Sequence, residues 1–159
     1  MDTSVHALDV AQYFLSKANT EGDLITNLKM QKLLYYAQAW HLVNFDRPLF
    51  SETIEAWNLG PVVANVYREF KQFGAGPIVY SETGREAEIF TPPQIEYLDE
   101  FYGIFIPFAA HQLVNASHNE KPWMEAIHTT KIITNDCMKS FYSEKLSQIE
   151  SAKSQQKAS

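Results

Sequence analysis

Apolar residues recur at helical spacing through residues 24–40 and leave few polar positions between them. A helix with so much apolar surface must be covered by other elements, so this segment is predicted to be the central buried helix of the fold. Thr26 or Asn27 can cap its start, because a short side-chain oxygen accepts a hydrogen bond from a backbone N–H that has no helical partner. The helix is predicted to end near residue 43.

The same periodicity predicts further helices around this one. Gly60-Pro61 is interpreted as the start of a third helix, because a proline at the first helical position gives up an N–H that would be unpaired there anyway. Gly74 is expected to end that helix. The other predicted helices cover residues 5–17, 94–105, 108–117, a short segment from 121 and residues 132–149.

Short extended segments interrupt the helical pattern. Residues 52–57 suit a short strand or an extended connection, and residues 78–80 and 87–90 can pair as a small β-hairpin. The predicted fold class is therefore mainly α: a compact single-domain helical fold around a central buried helix, with a small β-hairpin near residues 78–90. Residues 1–150 are predicted to form the domain, and residues 151–159 a polar, disordered tail with nothing to bury.

The composition limits the number of domains, the classes of partner and the cellular compartment that can be expected. The 159 residues suit one domain, and the formal charge of -6 disfavours broad nucleic-acid binding. A single cysteine, Cys137, excludes an internal disulfide and fits a reducing cytoplasm. The chain begins with no signal-peptide pattern, and its longest apolar run is too short for the roughly 20 residues of a bilayer span. A cytoplasmic protein without membrane contact is predicted.

The usual catalytic and metal-binding signatures are missing from the sequence. It has no Gly-rich phosphate loop, no GxSxG, and no histidine or cysteine spacing that suits zinc, so neither cofactor nor metal is predicted. Cys137 lies near a predicted helix start and could act as a nucleophile, but a small residue on the apolar face is the favoured reading. An enzyme with an unrecognised site stays open; a deep polar pocket lined by His41, His118 and carboxylates would favour it.

Three motifs add a family resemblance. They span residues 28–37 (LKMQKLLYYA), residues 55–63 (EAWNLGPVV) together with 66–67 and 70–71, and residues 118–123 (HNEKPW). In this order and spacing they resemble the Panacea domain, the SocA-like antitoxin family, and the likeness runs from about residue 5 to residue 142. Met30 stands where the family tends to have leucine, and Leu59 where an aromatic residue is common.

The resemblance implies a non-enzymatic antitoxin that neutralises a cognate toxin by direct protein–protein binding. Family members are encoded beside diverse toxins, which include translation inhibitors that modify tRNA and membrane-active proteins, and many lie in prophages. One relative is a proteolytic adaptor that delivers its toxin to the ClpXP protease. That role, or a phage-related host-interaction role on the same fold, is the alternative for this chain. An adaptor would need a second face, for which the polar tail is a candidate. An acidic face could also mimic the phosphates of a toxin's nucleic-acid substrate.

The motif residues fall into two groups by the role expected of them. Lys29, Gln31, Lys32 and Tyr35 are expected on the polar side of the central helix and are the candidates for partner binding. Their alternative role is to satisfy buried backbone groups near the Gly60-Pro61 corner. The other motif residues are expected to be structural: Leu33, Leu34, Tyr36, Trp40, Trp57, Gly60, Pro61, Tyr67, His118, Pro122 and Trp123.

Overall fold

The computed structural model describes residues 4–82 and 86–158 as a mainly α fold with a small antiparallel sheet, which confirms the predicted fold class. The α-helices are α1 (Ala7–Glu21), α2 (Asn27–Phe45), α3 (Ala64–Phe70), α4 (Glu86–Ile89), α5 (Pro92–Phe105), α6 (Ala110–His118), α7 (Lys121–Ala126) and α8 (Asn135–Ala158). The strands are β1 (Ile54–Trp57), β2 (Gly60–Val62) and β3 (Ile132–Ile133). A 3₁₀ turn, Lys71–Phe73, follows α3.

The predicted central helix is α2. The Thr26 hydroxyl caps it by accepting a hydrogen bond from the Lys29 backbone N–H at 3.2 Å. Every residue from 30 to 39 is buried, because α1, α3, α5, α6, α8 and β2 all pack against this helix. At its end Asp46 takes a left-handed conformation with φ of 59°, and its N–H closes the last turn on the Leu42 carbonyl oxygen. A 19-residue helix therefore runs through the whole core.

The hairpin of the fold lies at β1–β2 and not near residues 78–90, where the sequence predicts it. In that segment the Ile78 N–H donates to the Ile25 carbonyl oxygen at 2.9 Å, so the chain pairs with the approach to α2 instead of folding back on itself. Residues 86–89 form α4. Residues 83–85 of the predicted hairpin lie outside the described residues.

The predicted helix start at Gly60-Pro61 is also wrong. Both residues belong to β2, which pairs with β1 so that Trp57 lies opposite Gly60, and α3 begins only at Ala64. In the sheet order β2-β1-β3, β2 is an edge strand. Proline is tolerated there because its missing N–H removes no hydrogen bond from the interior of the sheet.

The last segment differs from its prediction at both ends. Residues Ile132–Ile133 form β3, which pairs with β1, and α8 begins after them at Asn135. At its other end α8 continues past the predicted residue 149 to Ala158, with residues 151–155 exposed, and disorder of the tail stays a prediction. Alanine, lysine, glutamate and glutamine are good helix formers, so a polar segment can extend a helix that packing has already started.

Gly60 is fixed by both its backbone and its surroundings. Its φ of 110° is a conformation that residues with a Cβ rarely adopt. A Cβ at this position would lie 2.5 Å from Lys32 Cε and 3.0 Å from Ser117 Oγ. The hairpin can therefore approach α2 and α6 this closely only with glycine here.

We expect Gly60→Ala to lower the free energy of unfolding by about 1–3 kcal/mol from backbone strain alone, with a further loss as Lys32 is displaced. Urea denaturation measures the change. The matched control is Gly103→Ala, since Gly103 lies inside α5 with open space around its Cβ position. That substitution should raise stability by about 0.5–1 kcal/mol. Equal stability of Gly60→Ala and the wild type would contradict the conclusion that the hairpin requires glycine at position 60.

Candidate functional site

Lys32 is an ionisable residue buried in the middle of the fold, with no exposed surface. Its Nζ donates a hydrogen bond to the Pro61 carbonyl oxygen at 2.9 Å, and its Cε fills the space that Gly60 leaves open. No carboxylate forms an ion pair with it among the described residues. Burial disfavours the charged form and lowers the pKa of Lys32 to about 7.

Gln31 links α2 to the start of α3. Its Oε1 accepts from the Val63 N–H at 2.9 Å, and its Nε2 donates to the Asn27 side-chain oxygen at 2.9 Å. Asn27 in turn donates to the Tyr67 carbonyl oxygen at 3.0 Å. These bonds satisfy backbone groups at a junction between strand and helix, where no regular ladder could do so.

Two further polar side chains of α2 hold irregular backbone. The side chain of Gln38 accepts from the Leu49 and Phe50 N–H groups at 2.7 and 3.1 Å and donates to the Phe50 carbonyl oxygen at 2.9 Å. Lys29 Nζ donates to the Ile106 carbonyl oxygen, 2.6 Å away at the end of α5. Partial burial lowers the pKa of Lys29, and the charge of Asp23 opposes that shift.

The expectation that the partner-binding candidates face outward is wrong for three of the four. Gln31, Lys32 and Tyr35 are at most 1% exposed, and only Lys29 keeps part of its side chain in solvent. The reason is that Gln31 and Lys32 satisfy backbone groups beside the Gly60-Pro61 corner, as the alternative reading anticipated. Any influence of these three side chains on a partner must pass through the groups that they hold, which are backbone groups for Gln31 and Lys32 and the Tyr142 hydroxyl for Tyr35.

Glu120 joins α2 to α8 in a buried polar cluster that also contains Tyr35, Tyr36, Tyr142 and Lys145. Its Oε1 accepts from the Tyr36 and Tyr142 hydroxyls at 2.7 and 2.9 Å, and its Oε2 accepts from Lys145 Nζ at 2.6 Å. The Tyr35 and Tyr142 hydroxyls hydrogen-bond to each other at 3.0 Å. Burial raises the pKa of both Tyr36 and Tyr142, with the nearby Glu120 charge contributing, so the hydroxyls remain protonated donors.

Sequence reasoning missed Glu120 and Tyr142 as parts of one cluster. Glu120 lies inside the third motif and precedes Lys121-Pro122, a helix start, so its position at the N-cap of α7 was readable. Its hydrogen-bond partners cannot be predicted from the sequence, because Tyr36 lies 84 residues away along the chain and no local pattern links the two.

The three motifs meet beside the hairpin. Trp123 Nε1 donates to the Trp57 carbonyl oxygen at 2.8 Å, and His118 stacks on Trp123 with ring centroids 4.1 Å apart. Trp57 contacts Tyr67 edge-on at 5.0 Å. Of the motif residues expected to be structural, Leu33, Leu34, Tyr36, Gly60, Pro61 and Pro122 are buried, and Trp40, Trp57, Tyr67, His118 and Trp123 are half-buried.

A cleft of about 880 Å³ opens over this meeting point, and we call it the hairpin cleft. Leu28 lines it from α2, Trp57 and Leu59 from the hairpin, and Lys71 and Lys131 from the outside. Lys71 and Lys131 are exposed. No carboxylate lines the hairpin cleft in the part of the chain that the structure describes, so its rim is basic on an acidic protein.

A second depression, of about 640 Å³, lies at the other half of α2, and we call it the α5 groove. Its lining is mostly apolar and aromatic, with contributions from α2, α5 and α8. Glu96 and Glu100 are the charged lining residues in the described chain, and both are exposed. The protein thus carries two open depressions with rims of opposite charge.

The residues that an enzymatic reading would use do not converge. His41 lies on α2 with its Nδ1 2.7 Å from the Arg47 carbonyl oxygen, and His118 stacks on Trp123; neither lines the hairpin cleft or the α5 groove. Burial raises the pKa of the Cys137 thiol, the opposite of what a nucleophile needs. Within residues 4–82 and 86–158, no three His, Cys, Asp or Glu side chains form a possible metal site, and no helix is long and apolar enough to cross a membrane.

The lowered pKa of Lys32 predicts how stability depends on pH. Between about pH 7 and the ordinary lysine value of about 10.4, the unfolded chain holds a proton that the folded protein lacks, so the free energy of unfolding should rise with pH. Relative to Lys32→Met, the wild type should gain up to about 1.4 kcal/mol per pH unit between pH 7.5 and 9. Urea denaturation at several pH values measures both slopes, and parallel curves would show that Lys32 keeps its proton when folded.

Comparison with known proteins shows which protein family this fold belongs to. The sequence profile of the family described as "Antitoxin SocA-like, Panacea domain" matches residues 30–124, which contain all three motifs and the hairpin except for the first two residues of the first motif. The chain is 35% identical over 130 residues to Antitoxin SocA of Caulobacter vibrioides (strain NA1000 / CB15N), an alignment that covers 76% of this chain and 69% of that protein. No solved structure matches the chain.

The family match covers more than half of the chain, and the relative is aligned over most of both proteins. Both findings support an antitoxin role of the non-enzymatic, regulatory kind. The chain is a member of the SocA-like antitoxin family and carries its Panacea domain.

Proposed function

We propose that this protein is the antitoxin of a toxin–antitoxin system and neutralises a cognate toxin by direct protein–protein binding in the cytoplasm. The observation that carries the proposal is the similarity to Antitoxin SocA, which extends over 76% of the chain. A prophage or bacterial operon in which the toxin gene lies beside this one is the expected setting. No cofactor is needed for such a role.

The chemistry of the described residues suits stoichiometric inhibition. The polar side chains of α2 are engaged in holding the backbone, and the two depressions offer shape and charge without a catalytic constellation. A protein of this kind acts by occlusion, covering the surface that the toxin uses. A standard interface takes about 800 Å² from each partner, roughly a tenth of the 9119 Å² surface here.

Co-expression with the protein encoded by the neighbouring reading frame tests the proposal. We expect that protein alone to arrest growth, and the pair to restore growth and to co-purify as a complex of fixed stoichiometry. Absence of both rescue and co-purification would overturn the proposal and favour the phage-related host-interaction role. Leu24→Ala, at an exposed residue that lines neither depression, is a suitable control for expression level because it should not affect rescue.

A proteolytic adaptor that delivers the toxin to a ClpXP-type protease is the second candidate. It is favoured by the two depressions, which lie at opposite halves of α2 with rims of opposite charge and could serve two partners at once. The exposed end of α8 beyond residue 150 offers a further point of attachment.

Truncation after residue 150 separates occlusion from delivery through the end of α8. If this end delivers the toxin, the truncated protein should still co-purify with it, while the half-life of the toxin in a pulse-chase experiment lengthens several-fold. An unchanged half-life would remove this version of the adaptor. Since residues 151–155 are exposed, the truncation should leave the fold intact, which circular dichroism can verify.

A further inference from the structure

We propose that the α5 groove docks a cationic amphipathic helix supplied by the toxin. This inference rests on the proposed function and assigns its binding surface. It commits to a helix with an apolar face and flanking lysine or arginine residues, and it follows from the lining, the charge and the walls of the groove.

The floor of the α5 groove is aromatic and rigid. Phe101 and Phe105 stack with ring centroids 4.4 Å apart, and Phe45 meets Tyr97 edge-on at 5.7 Å. The Tyr97 hydroxyl donates to the Ala37 carbonyl oxygen at 2.6 Å and so fixes its ring against α2. Such a preformed floor can accept apolar side chains without first losing conformational entropy of its own.

Apolar surface continues from this floor into solvent. Ile104, on the edge of the groove, is 57% exposed, and Ile149 is 41% exposed one turn beyond the lining residue Leu146 on α8. The groove therefore runs between two helices that both present uncovered aliphatic side chains. A surface of this kind marks an interaction site more often than it marks a free face.

The negative charge at the rim of the α5 groove favours a positively charged partner. Glu96 and Glu100 stand one turn apart on α5, and neither forms an ion pair among the described residues. No lysine, arginine or histidine lines the groove in the same part of the chain. Basic side chains beside an apolar face would meet both carboxylates, whereas a second copy of this chain would bring another molecule with a formal net charge of -6.

The walls favour a helix over an extended peptide. The lining residues of α5 recur at positions 93, 97, 101 and 105 with 96, 100 and 104 beside them, so they form a helical ridge along the groove. Side chains spaced by three and four residues on a partner helix fit between such ridges. The 14 residues of α5 span about 21 Å, so a partner helix of about four turns would cover the groove.

Charge reversal at the rim tests the inference in the complex. Glu96→Lys with Glu100→Lys should weaken toxin binding at least tenfold in calorimetry and abolish growth rescue. Glu69→Lys with Glu88→Lys changes the net charge equally at exposed positions outside both depressions and should stay within about twofold of the wild type. A toxin that binds the groove variant as tightly as the wild type overturns the inference but leaves the proposed function standing.

The exposed aliphatic positions give a second matched pair. Ile104→Lys should weaken binding, while Leu24→Lys, at a residue 74% exposed and outside the groove, should not. Equal effects of the two substitutions would contradict a specific apolar contact at α5.

A synthetic probe judges the surface without the toxin. A fluorescent 14-residue helix of leucine and lysine should bind the wild type more tightly than a helix of leucine and glutamate does. The variant with Glu96→Lys and Glu100→Lys should no longer prefer the lysine helix. The variant with Glu69→Lys and Glu88→Lys should still prefer it. Equal binding to both double variants would show nonspecific charge attraction and overturn the inference. If the wild type fails to rescue growth, the proposed function fails, and this measurement still decides whether the groove binds a cationic helix.

Discussion

A hydrogen bond from the buried amine of Lys32 to the Pro61 carbonyl oxygen holds the middle of this molecule together. Lys32 spans from α2 to Pro61, and the hairpin can lie close enough to receive it only because Gly60 lacks a side chain. Burying an amine costs free energy unless it is hydrogen-bonded, and its lowered pKa reflects part of that cost. The hairpin and the hairpin cleft take their positions from this contact, and the neighbouring Gln31 holds the start of α3.

The polar residues of α2 thus form an internal framework for backbone that has no regular partner. Gln31 holds the Val63 N–H, Gln38 holds the loop at Leu49 and Phe50, and Lys29 holds the end of α5. Glu120 closes the far side by joining two tyrosines and a lysine. A scaffold fixed from within in this way leaves its outer surface free to differ without loss of the fold.

Local signals in the sequence predicted the elements that depend on local physics. The Thr26 cap, the long apolar pattern of α2 and the proline at the start of α7 each act within a few residues, and the structure contains all three. Pro61 was misread because a glycine–proline pair suits a helix start as well as an edge strand. Pairing with β1 and the hydrogen bond from Lys32, which lies 29 residues away, stabilise the edge strand over the helix start. For the same reason the polar side chains of α2 were expected in solvent: the carbonyl and N–H groups they satisfy are distant in sequence.

The long sequence separation between α2 and α8, the helix that covers it, has a consequence for the nascent protein. Tyr35 meets Tyr142 across 107 residues, so α2 leaves the ribosome long before α8 exists. At translation rates of about 5–20 residues per second, its tyrosines and Trp40 wait for roughly 5–20 seconds without their partner helix. During that interval the half-made chain presents an aromatic helix to chaperones and proteases. A member of this family that is built in this order completes its core only once α8 has been made.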